Sequence, residues 1–68
     1  LFDETPTQHI ERMRIEAATQ ALLGSQTPIE RIAREVGYSN ADTFRRAFER
    51  LLGIAPSMYR ERFGRRAI

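Results

Sequence analysis

The sequence has no cysteine, which excludes disulfides and any thiolate metal site. Its single histidine, His9, has no second histidine with which to share a metal. His9 also lacks a cysteine partner for nucleophilic chemistry, and a packing or capping role suits it better. Ser25, Ser39 and Ser57 stand in linker or helix-start contexts, where a hydroxyl caps a helix rather than attacks a substrate. No catalytic set, metal or cofactor is therefore expected. The longest apolar runs are two or three residues, against the roughly 20 needed to span a bilayer, and no signal peptide precedes the first expected helix. A soluble cytoplasmic chain with no membrane partner is the expectation. The basic end also lacks a sustained amphipathic helix of the length a membrane surface would require. At 68 residues the chain makes one domain at most and buries only ~60% of the surface its unfolded form exposes.

What is present is helical periodicity, and it is clearest between Thr27 and Leu52. Ile29, Ile32, Ala33 and Val36 fall at i, i+3, i+4 and i+7, the spacing of one buried stripe. Pro28 suits the first turn of such a helix, with Thr27 as its cap. Gly37 follows the stripe, where a chain leaving a helix most easily takes positive φ. Asn40 then caps a second helix, residues 40–52, with Asp42 early enough to favour the positive end of its dipole. Its stripe is Phe44, Ala47, Phe48, Leu51 and Leu52. Asp42, Arg45, Arg46 and Glu49 point away from the stripe, Arg50 lies on the flank and Ala41 on the border.

Two readings of the charged face are open. Alternating charges opposite an apolar stripe are the ordinary outer face of a helix, with Asp42 or Glu49 pairing to Arg45, Arg46 or Arg50 at i+3 or i+4. Two short helices meeting across a glycine turn, with the small Ala33 four residues before Gly37 for a close crossing, instead form a DNA-reading helix-turn-helix. A helix backed by two phenylalanines that presents arginines, a carboxylate and a small residue is shaped for a major groove.

Charge is unevenly spread. Residues 1–26 carry four carboxylates and two arginines, a net of −2, whereas residues 40–68 carry seven arginines and three carboxylates, a net of +4. The basic end is the expected contact end. All eleven basic residues are arginine, whose planar fork matches phosphate or a guanine edge with two parallel hydrogen bonds.

Upstream, Thr5-Pro6 reads as a second cap-plus-proline start, and a helix is expected from Thr7 to Leu23, ended by Gly24. Ile10, Met13, Ala17 and Ala21 form one apolar line, widened by Ile15, Ala18 and Leu22. Such a breadth suits a brace packed on more than one neighbour. Gly24-Ser25-Gln26 makes a short linker. Downstream, Gly53-Ile54-Ala55-Pro56 closes the second stripe and opens a last helix, Ser57 to Phe63, whose Met58, Tyr59 and Phe63 are expected to fold back on the core. Gly64 then frees an Arg65-Arg66-Ala67-Ile68 tail within reach of phosphates, although a frayed terminus is the commoner meaning of such a run. A shift of fifty residues lays Leu1 to Thr7 on Leu51 to Ser57 and Glu11-Arg12 on Glu61-Arg62, four identities in thirteen positions. If this is a repeat, Leu1 and Phe2 end an earlier recognition helix and another helix-turn-helix stands upstream.

IERIAREVGYSNADTFRRAFERLLGIAPSMYRERF resembles the second helix-turn-helix of the AraC/XylS family of bacterial transcription regulators. TPTQHIERMRIEAATQALL resembles the long helix that links that family's two units. The most diagnostic parts are Ile32-Ala33, Gly37-Tyr38, Phe44 and Phe48 around Arg46, and Gly53-Ile54 followed by Pro56, Tyr59 and Arg60.

The resemblance implies an all-α, homeodomain-like helix-turn-helix fold: a long linker helix plus a three-helix unit, half of a seven-helix arrangement whose two recognition helices enter successive major grooves. It divides the chain into residues 1–26, linker helix and end of a missing first unit, and residues 27–68, second unit with its closing helix. It implies base contacts from Ala41, Asp42, Arg45 and Arg46, with Glu49 and Arg50 nearby. Phosphate contacts are implied around Asn40, Thr43 and the start of the last helix. Asp3 departs from the pattern, standing where the family has the glycine that matches Gly53.

The function expected is sequence-specific binding of double-stranded DNA within a transcription regulator, without enzymatic activity. Arg45 and Arg46 would read bases or grip phosphates, with Asp42 orienting them or accepting from a cytosine amino group. RNA polymerase is a second candidate partner, and a small-molecule effector would act only through a missing upstream domain. The rival is a helical protein-interaction module that contacts RNA polymerase or another regulator domain.

Overall fold

In a computed structural model, which describes residues 5–64, the chain forms four helices: α1 (Pro6–Gly24), α2 (Ile29–Glu35), α3 (Ala41–Leu52) and α4 (Pro56–Phe63). The expected tail from Arg65 and the proposed helix end at Leu1 and Phe2, with Asp3, lie outside the described residues.

Local chemistry sets each boundary. α1 begins on a capping box: the Thr5 hydroxyl accepts from the Gln8 amide at 3.1 Å, and the Gln8 side chain accepts from the Thr5 amide at 3.1 Å. α2 ends on paired backbone bonds, Gly37 N to Arg34 O at 3.0 Å and Tyr38 N to Ala33 O at 2.9 Å, with Gly37 at φ +108°. That pairing satisfies two carbonyls at the helix end and needs a residue without a Cβ at the bend. Asn40 caps α3 by accepting from the Thr43 amide at 2.8 Å. Gly53, at φ +76°, ends it by donating to the Glu49 carbonyl at 2.7 Å. Pro56 occupies the first turn of α4, so that helix starts one residue earlier than the expected Ser57.

α1 lies against α2, α3 and α4. The core is Ile15, Ala18 and Leu22 from α1, Ile32 and Ala33 from α2, and Phe44, Ala47 and Phe48 from α3, with Val36, Tyr38, Ile54 and Tyr59 packed on it. Fully buried Ala33 allows the close approach expected where α2 turns into α3. Aromatic rings run in sequence from the turn through this core and out along α4. Tyr38 to Phe44 and Phe44 to Phe48 are each 5.6 Å between centroids, Phe48 to Tyr59 is 5.5 Å and Tyr59 to Phe63 is 5.0 Å. Tilted and edge-on contacts at these distances add to the burial of the rings themselves.

Four sequence expectations are corrected. The inward line of α1 is Ile15, Ala18 and Leu22; Ile10 (49% exposed) and Met13 (55% exposed) face outward with Ala17, and only Ala21 of that line touches the core. Two adjacent apolar lines share one helix, and the core forms on the side of the second, while the end of α2 only borders the first. Thr27 does not cap α2: the cap position is Pro28, and the Thr27 hydroxyl accepts instead from Ser25 Oγ at 3.0 Å. Leu51 and Leu52 are exposed, because the α3 stripe runs on to the helix end at Gly53, past the core that covers its middle. Met58 and Phe63 are also exposed; α4 reaches the core through Tyr59 and buried Pro56.

Arg60 ties α4 to the preceding linker. Its guanidinium donates to the carbonyls of Leu22 at 3.1 Å, Ser25 at 3.2 Å and Thr27 at 2.7 Å. These carbonyls belong to the chain leaving α1 and entering α2, so one side chain satisfies acceptors that no helix bonds.

Two substitutions test this packing. Phe48→Ala should cost about 3–5 kcal/mol, enough to abolish the cooperative thermal transition in circular dichroism for a chain this small; an unchanged midpoint would contradict the aromatic core. Arg60→Ala should cost about 1–3 kcal/mol through its orphaned carbonyls, with Arg60→Lys recovering only part because a point charge replaces the fork; full recovery by lysine would contradict the three-carbonyl anchor.

Candidate nucleic-acid interface

The Asn40 cap fixes where α3 starts, and the buried Phe44, Ala47 and Phe48 fix its rotation. Together they place Asp42, Arg45, Arg46 and Glu49 on the outer side, since these positions are three or four residues apart. Arg45 and Arg46 are exposed, the Arg46 side chain by 76%. Glu49 is half-buried, Thr43 is exposed, and its amide is taken by the Asn40 cap. Ala41 and Asp42 lie in a shallow groove with Ile29 and Glu30 at the start of α2 and Pro56 and Ser57 at the start of α4. Three helix starts therefore border one surface.

The arginines are held by carboxylates. Asp42 bridges two of them, with Oδ1 2.6 Å from Arg45 Nη2 and Oδ2 3.2 Å from Arg46 Nε. Arg45 Nη1 also lies 3.7 Å from Glu49 Oε2. Asp42 thus orients both guanidiniums, the arrangement expected when an aspartate sits one turn before two arginines. Arg50 departs from the outer group: its guanidinium donates to Glu11 of α1. The Glu11 hydrogen bond and charge push the Arg50 pKa above its ordinary value.

A second cluster, absent from the sequence reading, locks the turn. Arg14 of α1 donates to the Gly37 carbonyl at 3.4 Å, and its guanidinium carbon lies 5.8 Å from the Tyr38 ring centroid. A Cβ at Gly37 would meet Arg14 Nε at 2.9 Å, so the glycine provides room for Arg14 as well as positive φ. The buried Tyr38 hydroxyl finds no hydrogen-bond partner among the described residues. Burial raises the Tyr38 pKa first, and Glu11 adds to the shift; Arg14 and Arg50 oppose it. Glu11 and Arg14 carried no local signal, because their partners are 39 and 23 residues away.

Among the described residues, no group of three His, Asp or Glu side chains could hold a metal, and no helix is long and apolar enough to cross a membrane.

Comparisons with known proteins agree on one family. A profile described as a helix-turn-helix domain matches residues 1–62. The chain is 40% identical over 58 residues to the MmsAB operon regulatory protein of Pseudomonas aeruginosa, covering 85% of this chain and 19% of that protein. It is 40% identical over 60 residues to an HTH-type transcriptional regulator of Mycobacterium tuberculosis, covering 88% and 23%. A protein of Streptomyces antibioticus named as an AraC-like transcription regulator is 36% identical over 56 residues, covering 82% and 18%. The chain therefore spans about a fifth of the length of the curated relatives it matches. No solved structure matches it closely enough to count as a relative.

Tyr38→Phe tests the turn cluster. An unpaired buried hydroxyl contributes no hydrogen bond, so its removal should leave stability at pH 7 unchanged or raised. The raised folded pKa means that Tyr38 contributes stability below the unfolded tyrosine value, lost as pH rises through the folded one. The decline above about pH 10 should accordingly be shallower in the variant. A lowered thermal midpoint at pH 7 would show that the hydroxyl has a stabilising partner.

Proposed function

The chain belongs to the AraC-type helix-turn-helix family of transcription regulators, and from that premise we propose that it binds double-stranded DNA with α3 in the major groove. The observation that carries the reading is the placement of α3: a capped helix, pinned by buried Phe44 and Phe48, with Arg45 and Arg46 exposed on its opposite side.

In this proposal Arg45 and Arg46 contact base edges, each bidentate arginine-to-guanine pair supplying about 1–3 kcal/mol of discrimination. Ala41 is small enough to let the start of α3 approach the bases. Asn40, Thr43 and the start of α4 meet the flanking phosphates in this proposal, a reading supported for α4 by the groove that Pro56 and Ser57 share with Ala41, Asp42 and Arg45. Asp42 and Glu49 orient the arginines. Arg50 is reassigned from groove contact to bracing α3 on α1 through Glu11, because that pair directs it away from the outer group.

In the same proposal residues 1–26 are the linker helix and the end of a first helix-turn-helix, and residues 27–68 are the second helix-turn-helix with its closing helix. For the longer regulator, a cytoplasmic location, RNA polymerase contact and an effector-binding domain elsewhere are part of the same proposal. Catalysis forms no part of it. The alternative, a protein-interaction helix, is not favoured, since the relatives are transcription regulators.

Salt separates DNA binding from apolar association, because phosphate neutralisation makes log K fall linearly with log salt. In a fluorescence-anisotropy titration against duplex at two salt concentrations, binding should weaken with salt in that way. Arg46→Ala, with helicity checked by circular dichroism, should weaken it by roughly 5- to 150-fold. Unchanged binding by a folded Arg46→Ala variant would remove Arg46 from the mechanism, and salt-independent binding would overturn the DNA reading.

A further inference from the structure

The charges around α3 cancel in the absence of DNA. Its three arginines are Arg45, Arg46 and Arg50. Arg45 lies between Asp42 and Glu49, Arg46 rests on Asp42, and Arg50 on Glu11. Three cations are thus matched by three carboxylates. A helix brought to DNA in this state has no uncompensated arginine for the first phosphate it meets.

The bonding atoms differ between the two outer arginines. Arg46 reaches Asp42 through Nε, which leaves both Nη groups uncommitted to that carboxylate. A guanine edge takes two parallel donors, at O6 and N7. Arg46 can supply both from its Nη groups while its Nε stays beside Asp42 as an ion pair. Arg45, in contrast, donates to Asp42 through Nη2 and keeps Nη1 3.7 Å from Glu49, so end-on presentation of both Nη groups competes with its hydrogen bond to Asp42.

Resting on the DNA-binding reading above, we propose that Asp42 is a specificity-determining residue. It buttresses Arg46 for end-on contact with guanine and competes with phosphate for both guanidiniums. Exchanging Asp42 for a phosphate replaces one anionic acceptor by another and leaves the freed aspartate repelled by the backbone. A guanine edge is uncharged and requires no such exchange at Arg46. Asp42 therefore lowers affinity for DNA of arbitrary sequence more than for a site with guanine beneath Arg46. It is a positioning residue, acting through the arginines rather than as the principal base contact.

The test is Asp42→Asn in the full 68-residue chain, bound to a randomised duplex pool at two salt concentrations, with the bound fraction sequenced. Asp42→Ser serves as a second variant should asparagine unfold the chain, and Asn40 still caps α3 in both. Loss of the competing charge should tighten pool binding by roughly three- to tenfold. It should also steepen the log–log salt slope by about 0.9, one added phosphate contact. The guanine enrichment selected by wild type should fall. A merely structural role would weaken all binding at constant slope and enrichment, and that result overturns the proposal. Binding by wild type with no change in the variants overturns the role of Asp42 alone. If neither wild type nor variants bind any duplex, the DNA reading fails with it.

Discussion

Burial of Phe44 and Phe48 is the constraint on which the other features depend. α3 alone would be marginal at 12 residues, and the chain has no cysteine with which a disulfide could hold it in place. Two rings with no exposed surface fix its rotation, and the contacts from Tyr38 through to Phe63 join the turn, α3 and α4. α1 and α2 complete the enclosure with Ile15, Ala18, Leu22, Ile32 and Ala33. The outward arginines are a consequence of this burial, because a helix whose phenylalanines face inward has no other side on which to place residues 42, 45, 46 and 49.

Two polar anchors then set the frame around that core. Arg60 binds the carbonyls at the junction of α1 and α2, which are among the groups a short interhelical linker leaves unsatisfied. Arg14 and Glu11, one turn apart on α1, reach respectively the Gly37 turn and Arg50 of α3. α1 thereby contacts the turn and the last turn of α3 through charged groups, and the inner sides of α2 and α3 through apolar ones. The basic excess of the second half of the chain is correspondingly less available than its net charge suggests. Arg60 is committed to carbonyls and Arg50 to Glu11, while Arg45 and Arg46 carry their own carboxylates.

Signals confined to a few neighbouring residues were legible in the sequence. Asn40 read as a cap and Gly37 and Gly53 as helix ends, because such features depend on φ and on a single side chain reaching a nearby amide. The inward position of Phe44 and Phe48 was legible from periodicity, since α3 has one apolar stripe. α1 has two adjacent apolar lines, and nothing local distinguishes Ile10 and Met13 from Ile15 and Leu22; only the placement of the other helices does. Thr27 looked like a cap by residue type, but Ser25 offers its hydroxyl a nearer partner. Of the proposed interface, the outward set at 42, 45, 46 and 49 could be read from spacing, as could the pairing of Asp42 with Arg45 or Arg46 at i+3 and i+4. The diversion of Arg50 could not, because it depends on a partner 39 residues away.

The central claim is that the outer side of α3 meets DNA while its inner side stays packed. Titration of the isotopically labelled chain with a short duplex, followed by proton–nitrogen correlation spectra that include the arginine Nε–H signals, tests it most directly. The account predicts that the largest changes fall on Arg45, Arg46 and the first turn of α3 and at the start of α4, with the amides of Phe44 and Phe48 retaining slow hydrogen exchange throughout. Changes centred on the exposed Ile10 and Met13 side of α1, with the Arg45 and Arg46 side-chain signals unmoved, would contradict it.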